Sequence, residues 1–437
     1  MRRRCATFLV GAVAASLVLV GCAEGPEPSA TAEPAAEAPA DGATAWALSG
    51  GTDVVLGKTF DQWNADHPDN GISVTWMEND EYKSRIGEAL DTGAPPSLIF
   101  GWAGGDLDRM VADGDVVDIT DAVGPVQDRV LPAVAANGEV DGRTYAVPNN
   151  QTQPVVLYYN AEVLEEVGLE PPETYDDLLA AVPVLTEAGV LPIALAGGSR
   201  WPELMYIQYL TDRIGGPEVF QRVVDGEPGA WSDPAILEAL RKITELVDAG
   251  AFGEYFTETV ADESGDVSLV ANGTAAFVLQ GAWVYPDFLT EAPALLANDG
   301  LGFAPFPAVE DGVGDPANVV GNPANFWSVS SAASPEDQQA AIDFLNEHVY
   351  SDVAVERFLV VRTVPPVRNL GKQISGMENA EYLDYVYDMV ASAPHFQLSW
   401  DQAIPSDQAG ALLDNLHRVF LGELTPRGFA EEMNATL

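Results

Sequence analysis

Cysteine is almost absent from this 437-residue chain, positive charge is scarce, and histidine is rare. The two cysteines are Cys5 and Cys22, so no disulfide can staple the chain beyond residue 22 and the fold must rest on its own core. Lys and Arg number 20 against 67 Asp and Glu, a formal charge of −47. Such a surface offers no positive field for a phosphate backbone, which excludes nucleic acid as a partner and a direct electrostatic grip on an anionic membrane. Neutral or cationic ligands are favoured over free anions, although a helix N-terminus can hold an anion locally. His67, His348, His395 and His417 lack a metal-ligand spacing, and the Gly-Gly pairs are not a phosphate loop. No metal and no cofactor is expected.

Long apolar runs are missing too. The run at residues 7–20 follows three arginines and falls short of the roughly 20 residues of a spanning helix, so it reads as the h-region of an export leader. It ends Leu19-Val20-Gly21-Cys22, small residues before a Cys that resemble a bacterial lipobox. The expected processing removes residues 1–21 and lipidates Cys22, which anchors the protein to the outer face of the cell membrane; an uncleaved N-terminal anchor is the alternative. Residues 22–43, rich in Ala, Pro and Glu, have almost nothing to bury and read as a disordered tether.

What remains is 47% hydrophobic over the whole chain and too long for one compact core, so two lobes are expected. Alternating and apolar-striped segments predict strands at 44–48, 72–78 and 97–102, with helices at 52–65 and 82–90 between them. Strand, helix, strand, helix, strand is the pattern of an α/β lobe on a mostly parallel sheet, whose ligands sit beyond the carboxyl ends of the strands. Glu78, Asn79 and Trp102 fall there, the last in a Gly-rich turn where packing alone does not explain an exposed indole. A polar run, Asn149 to Gln153, with Gln151 and Gln153 as candidates, lies between two apolar strands; it is either a solvated loop or a hydrogen-bonding ledge. Further strands at 191–196 and 274–279 end in glycines and then in Trp201 and in Gln280-Gly281-Ala282-Trp283. Three strand-then-Trp junctions predict an aromatic-lined cleft. Asn325 is a cleft candidate, while Trp327, in mid-strand, reads as core.

Near the carboxyl end, HFQLSWDQA (395–403) sets Trp400 beside Asp401 and two glutamines. An indole covers the apolar C–H face of a sugar while carboxylate and amide groups take its hydroxyls. A core Trp is the competing reading, and this stretch alone does not separate the two.

Taken together, GWAGGDLDRMVADGDVVDIT, VVLYYNAEVLEEVGLEPPETYDDLL, GTAAFVLQGAW, NPANFWSVS and FQLSWDQA with its FLGELTPRGFAEEMN tail resemble the lipid-anchored extracellular solute-binding proteins of carbohydrate ABC importers, the group that includes maltose-binding protein. Among them the chain is most similar to the xylobiose or xylo-oligosaccharide binders of actinobacteria. The resemblance implies a two-lobed α/β fold with hinge crossovers, lobe 1 at 44–150 plus 302–333 and lobe 2 at 151–301 plus 334–437. It implies a monomer that holds a carbohydrate between the lobes and presents it to the transmembrane subunits of an ABC permease. Stacking aromatics of the family correspond to Trp102, Trp283 and Trp400, with another near Trp201. Gly105 and Asp106 stand where maltose-binding protein carries an Asp and an Arg that hold hydroxyls, so maltose fits poorly. The alternatives are a binding protein for another solute, such as another sugar, a peptide or a polyamine, which the acidity would suit, and a lipoprotein glycoside hydrolase using two carboxylates, with Asp401 and Glu78 as candidates. Among so many acids such pairs prove nothing, and binding without chemistry is the expectation.

Overall fold

A computed structural model describes residues 42–377 and 380–437. The expected leader, Cys22 and the tether up to residue 41 lie outside the described residues. None of the helices described is long and apolar enough to cross a membrane.

Among the described residues thirteen strands form: β1 Ala43–Leu48, β2 Ile72–Met77, β3 Leu98–Gly101, β4 Glu139–Val140, β5 Arg143–Thr144, β6 Ala146–Pro148, β7 Gln153–Asn160, β8 Leu191–Ala194, β9 Ala275–Gly281, β10 Leu301–Ala304, β11 Val319–Asn322, β12 Phe326–Val329 and β13 Phe396–Leu398. Apart from the β4–β5 hairpin they build two sheets, in the orders β2-β1-β3-β12-β6 and β13-β11-β7-β9-β8, with β10 added to β7. The first three strands are parallel, which requires crossover helices; Asp53–Asp66 and Asn79–Asp91 supply them. Strands that carry the chain between sheets run antiparallel to their neighbours, β12 against β3 and β6, β7 against β9, β10 and β11. The chain crosses from the first sheet to the second at 149–152, returns at 323–325, and crosses once more between the helix Asp352–Val360 and β13.

Local chemistry sets the helix ends. Thr174 and Asp177 form a reciprocal capping box, Asp233 accepts from the Ala235 N–H just before Pro234, and Ser334 accepts from the Asp337 N–H. Two apolar cores result. In the first, Phe60 stacks on Phe344 at 4.4 Å between centroids and meets Trp327 edge-on, so Trp327 is core as expected. The second packs the stripe Ile236, Leu240 and Ile243 against Leu412, Leu416 and Phe420.

The route of the chain differs from the expected partition at two places. Strand β10, expected in lobe 1 from residue 302, pairs with β7 of the second sheet. The helix Pro335–Glu347, expected in lobe 2, packs beside β1, and Asp352–Val360 lies against the helix Asp53–Asp66. Periodicity identifies an element and its buried face; it does not say which of two apolar cores receives that face.

Candidate binding cleft

Between the two sheets lies a cleft enclosing about 1250 Å³ with its solvent-open mouth. Its walls are the turns that follow strands of both sheets, contributing Ser49 and Thr52, Glu78 and Asn79, Trp102, Trp201 and Trp283, and Ser399, Asp401 and Gln402, together with Gln280 at the end of β9. The crossovers, with Asn150, Gln151 and Asn325, and the adjoining strand ends, with Gln153 of β7 and Asn322 of β11, form its back. Every candidate read from the sequence lines this cleft except Trp400.

Trp400 is fully buried in the second core, stacked on Phe220 at 4.2 Å with rings 2° from parallel and edge-on to Trp231. It opens the short helix Trp400–Ala403. Successive helical residues point about 100° apart, so the neighbours Ser399 and Asp401 reach the cleft while the indole turns away from it. Trp102 is corrected in degree: it keeps 8% of its surface exposed, held edge-on by Phe100 and Tyr82, with the Lys83 ammonium 5.0 Å from its ring centre. Trp201 and Trp283 form a pair, ring centres 5.8 Å apart, on the wall made by the second sheet. A side chain at residue 281 would occupy the Trp283 ring, so Gly281 is what lets that indole lie over the backbone.

The polar groups fall into two sets. One is bonded within the protein. Asn325 Oδ1 accepts from Asn150 Nδ2 at 2.7 Å and Gln153 Nε2 at 2.6 Å, so part of the Asn149-to-Gln153 run ties the two crossovers together. Gln280 donates to buried Asp266 and accepts from the Gly281 N–H, which engages both ends of its amide. Gln208 donates to Ser399 Oγ, which donates to Asp401 Oδ1 at 2.8 Å, fixing that carboxylate. The second set has no partner in the protein: Gln151 Oε1, Gln208 Oε1, Asn322 Oδ1, Gln402 Oε1 and Trp201 Nε1, all buried and all on residues lining the cleft. A buried polar atom left unpaired costs about 1–3 kcal/mol, so these atoms call for a ligand or water with complementary donors and acceptors.

Charge in the cleft is mostly negative. Burial raises the Glu78 carboxyl, with nearby Asp262 adding to the effect, and burial pushes Asp287 up to about 6 against the bond it accepts from Ser264. Lys83 is the cation on the cleft wall. Among the described residues no cluster of His, Cys, Asp and Glu could hold a metal.

Lys83, Gln208, Asp262, Ser264, Asp287 and Ser399 were not among the sequence candidates, whereas Gln402, one of the two glutamines beside Trp400, does line the cleft. A signal existed for Gln208, an amide inside the apolar run Leu-Met-Tyr-Ile-Gln-Tyr-Leu of the helix Leu204–Gly215. None existed for Asp262 and Asp287, two acids among 67.

The family model described as bacterial extracellular solute-binding protein matches residues 49–348. An uncharacterized ABC transporter extracellular-binding protein of Pyrococcus horikoshii is 25% identical over 310 residues, covering 69% of this chain and 68% of that one. The melibiose/raffinose/stachyose-binding protein MelE of Bacillus subtilis is 24% identical over 262 residues, 56% of each chain. A solved structure concerned with xylan utilization by the thermophile Caldanaerobius polysaccharolyticus superposes with a TM-score of 0.81 at 25% identity, over 91% of this chain and all of that one. A chitin oligosaccharide binding protein superposes equally well, TM-score 0.81 at 21% identity, over 91% of this chain and 98% of that one, and shares the fold.

Proposed function

Because the chain belongs to the bacterial extracellular solute-binding proteins, we propose that it captures xylobiose or a xylo-oligosaccharide between its lobes and delivers it to an ABC permease, as a monomer tethered to the outer face of the membrane through lipidated Cys22. It is a sugar-binding component of an ABC importer, working outside the cytoplasm, and not an enzyme. The observation that carries the sugar reading is the combination of the Trp201–Trp283 pair with unpartnered amide oxygens around one cleft. Indole faces desolvate the C–H surface of a pyranose, each contact contributing about 1 kcal/mol beyond its buried area. Amide oxygens and the fixed Asp401 carboxylate accept from hydroxyls. A neutral ligand also suits a cleft whose carboxylates outnumber its cation. The likeness to the structure from xylan utilization supports the choice of xylo-oligosaccharide, and the relative that binds melibiose, raffinose and stachyose supports the broader class.

Binding contacts made by both lobes exist only when the lobes are shut, so ligand shifts the population toward the closed form. Isothermal titration against xylobiose, xylotriose, cellobiose, maltose and xylose tests the proposal. One-to-one binding of a xylo-oligosaccharide, with the sugar recovered unchanged, is expected; heat with cellobiose or maltose alone would reassign the sugar, and heat with none would remove the oligosaccharide reading.

A further inference from the structure

The helix Asn79–Asp91 belongs to the first lobe and has no cap of its own: its N-cap residue Glu78 makes no side-chain hydrogen bond to the first turn. The first four N–H groups of a helix have no partner inside it, and a side-chain carboxylate on the second or third of them is the usual remedy. Here the remedy comes from the other lobe. Asp80, the second residue of the helix, donates its backbone N–H to Asp262 Oδ2 at 3.1 Å, across 182 residues of sequence.

Asp262 is presented rigidly. It sits in the turn before the helix Gly265–Ala271, which packs on β9 of the second sheet. The neighbouring Ala261 N–H donates to Ser199 Oγ at 3.0 Å, and the Gly198 N–H donates to the Thr259 carbonyl at 3.0 Å, tying the turn to the loop that follows β8. Burial raises the Asp262 carboxyl; the bond from the Asp80 N–H opposes that, the Asp80 carboxylate repels it, and the Lys83 ammonium, one turn further along the first-lobe helix, attracts it. Strands β2 and β1 lie at the edge of the first sheet away from the crossover strands β12 and β6. The contact therefore spans the mouth of the cleft at the end remote from the crossovers, where a small change of lobe angle produces the largest separation.

We propose that Asp262 is the latch of the closed form, a helix cap supplied in trans that forms when the lobes shut and is lost when they part. It is a positioning residue for binding, and the proposal holds whichever solute the cleft accepts. The test compares Asp262→Ala and Asp262→Asn with the parent protein, without ligand and with saturating xylobiose, by hydrogen exchange of the peptide containing the Asp80 amide and by small-angle scattering, with a thermal melt to establish that each variant is folded. Asn caps helices about as well as Asp, so a cap predicts that Asp262→Asn keeps both the slow exchange and the compact scattering profile, while Asp262→Ala speeds exchange about fivefold and raises the radius of gyration. Unchanged exchange and an unchanged radius in Asp262→Ala would overturn the proposal. Equal loss in both variants would overturn it as well, because it would make the effect one of charge and not of capping.

Discussion

Asn150 and Asn325, one on each crossover, hold each other through a reciprocal pair of hydrogen bonds: Asn150 Nδ2 donates to Asn325 Oδ1 at 2.7 Å, and the Asn325 N–H donates to Asn150 Oδ1 at 2.9 Å. Both residues are buried at the back of the cleft, and Tyr350 anchors the first of them by donating to its carbonyl at 2.7 Å. The pair joins two of the places where the chain changes lobes, at 149–152 and 323–325, so it acts on the hinge as well as lining the cleft.

Replacing Asn325 by Ala leaves the amide nitrogens of both Asn150 and Gln153 without their acceptor. A loss of about 1–3 kcal/mol in unfolding free energy is expected. Chemical denaturation measures it, and a loss below about 0.5 kcal/mol would show that water replaces the network without cost.

Trp400 and Trp283 should separate stability from binding. Trp400→Ala empties a fully buried site between Phe220 and Trp231, and a cost of about 3–5 kcal/mol is expected. The milder Trp400→Phe should fold and bind sugar nearly as the parent does. Strongly weakened binding by a well-folded Trp400→Phe would restore this residue to the site.

Asp212 and Arg213 are both fully buried and joined at 2.8 Å, and each also holds Asn318, through its side-chain amide and its carbonyl respectively. Together they pin the segment 312–318, where any side chain at Gly314 would meet the Asp212 carbonyl. Asp212→Ala strands a buried guanidinium, with an expected loss of about 3–5 kcal/mol. Thermal and denaturant unfolding check it, and a shift within 1 kcal/mol would contradict the role given to the pair.

Glu203 and His417 give the fold a pH dependence. Burial pushes the Glu203 carboxyl up to about 7, and the 2.8 Å hydrogen bond to Glu203 raises the imidazole of His417. Both groups hold their protons more tightly in the folded state than in the unfolded chain. Their linked stability is therefore greatest at low pH: the Glu203 share declines from about pH 4.5 to 7, and the His417 share is full below about 6.5 and lost as pH rises through its elevated value. Between pH 5 and 8 the parent should lose stability on the order of 2 kcal/mol more than Glu203→Gln does. Parallel pH profiles for the two proteins would contradict the assignment.

The strand-end tryptophans were legible because a strand of β-branched and apolar residues closed by glycines marks both where the strand stops and on which side of an α/β sheet its turn lies. Trp102, Trp201 and Trp283 reach the cleft for that reason. Trp400 follows a strand too, but it opens a one-turn helix, and the facing of a residue in so short an element is decided by the Phe220 and Trp231 rings that receive it. Gln280 was legible as a residue lining the cleft and less so as one whose amide is occupied, since its partner Asp266 lies fourteen positions upstream on another element. Helix starts were read from Ser, Thr or Asp before an acid or a proline, yet the lobe to which Pro335–Glu347 returns was not, because both cores accept the same Ala, Phe and Leu stripe.

Titration of Trp283→Ala beside the parent protein with xylobiose decides whether the Trp201–Trp283 wall holds a sugar. One-to-one binding by the parent is expected, with a dissociation constant raised at least about tenfold in the variant, the equivalent of roughly 1.4 kcal/mol, and the melting temperature nearly unchanged. Equal affinity of the two proteins, or no binding of xylobiose by the parent, would contradict it.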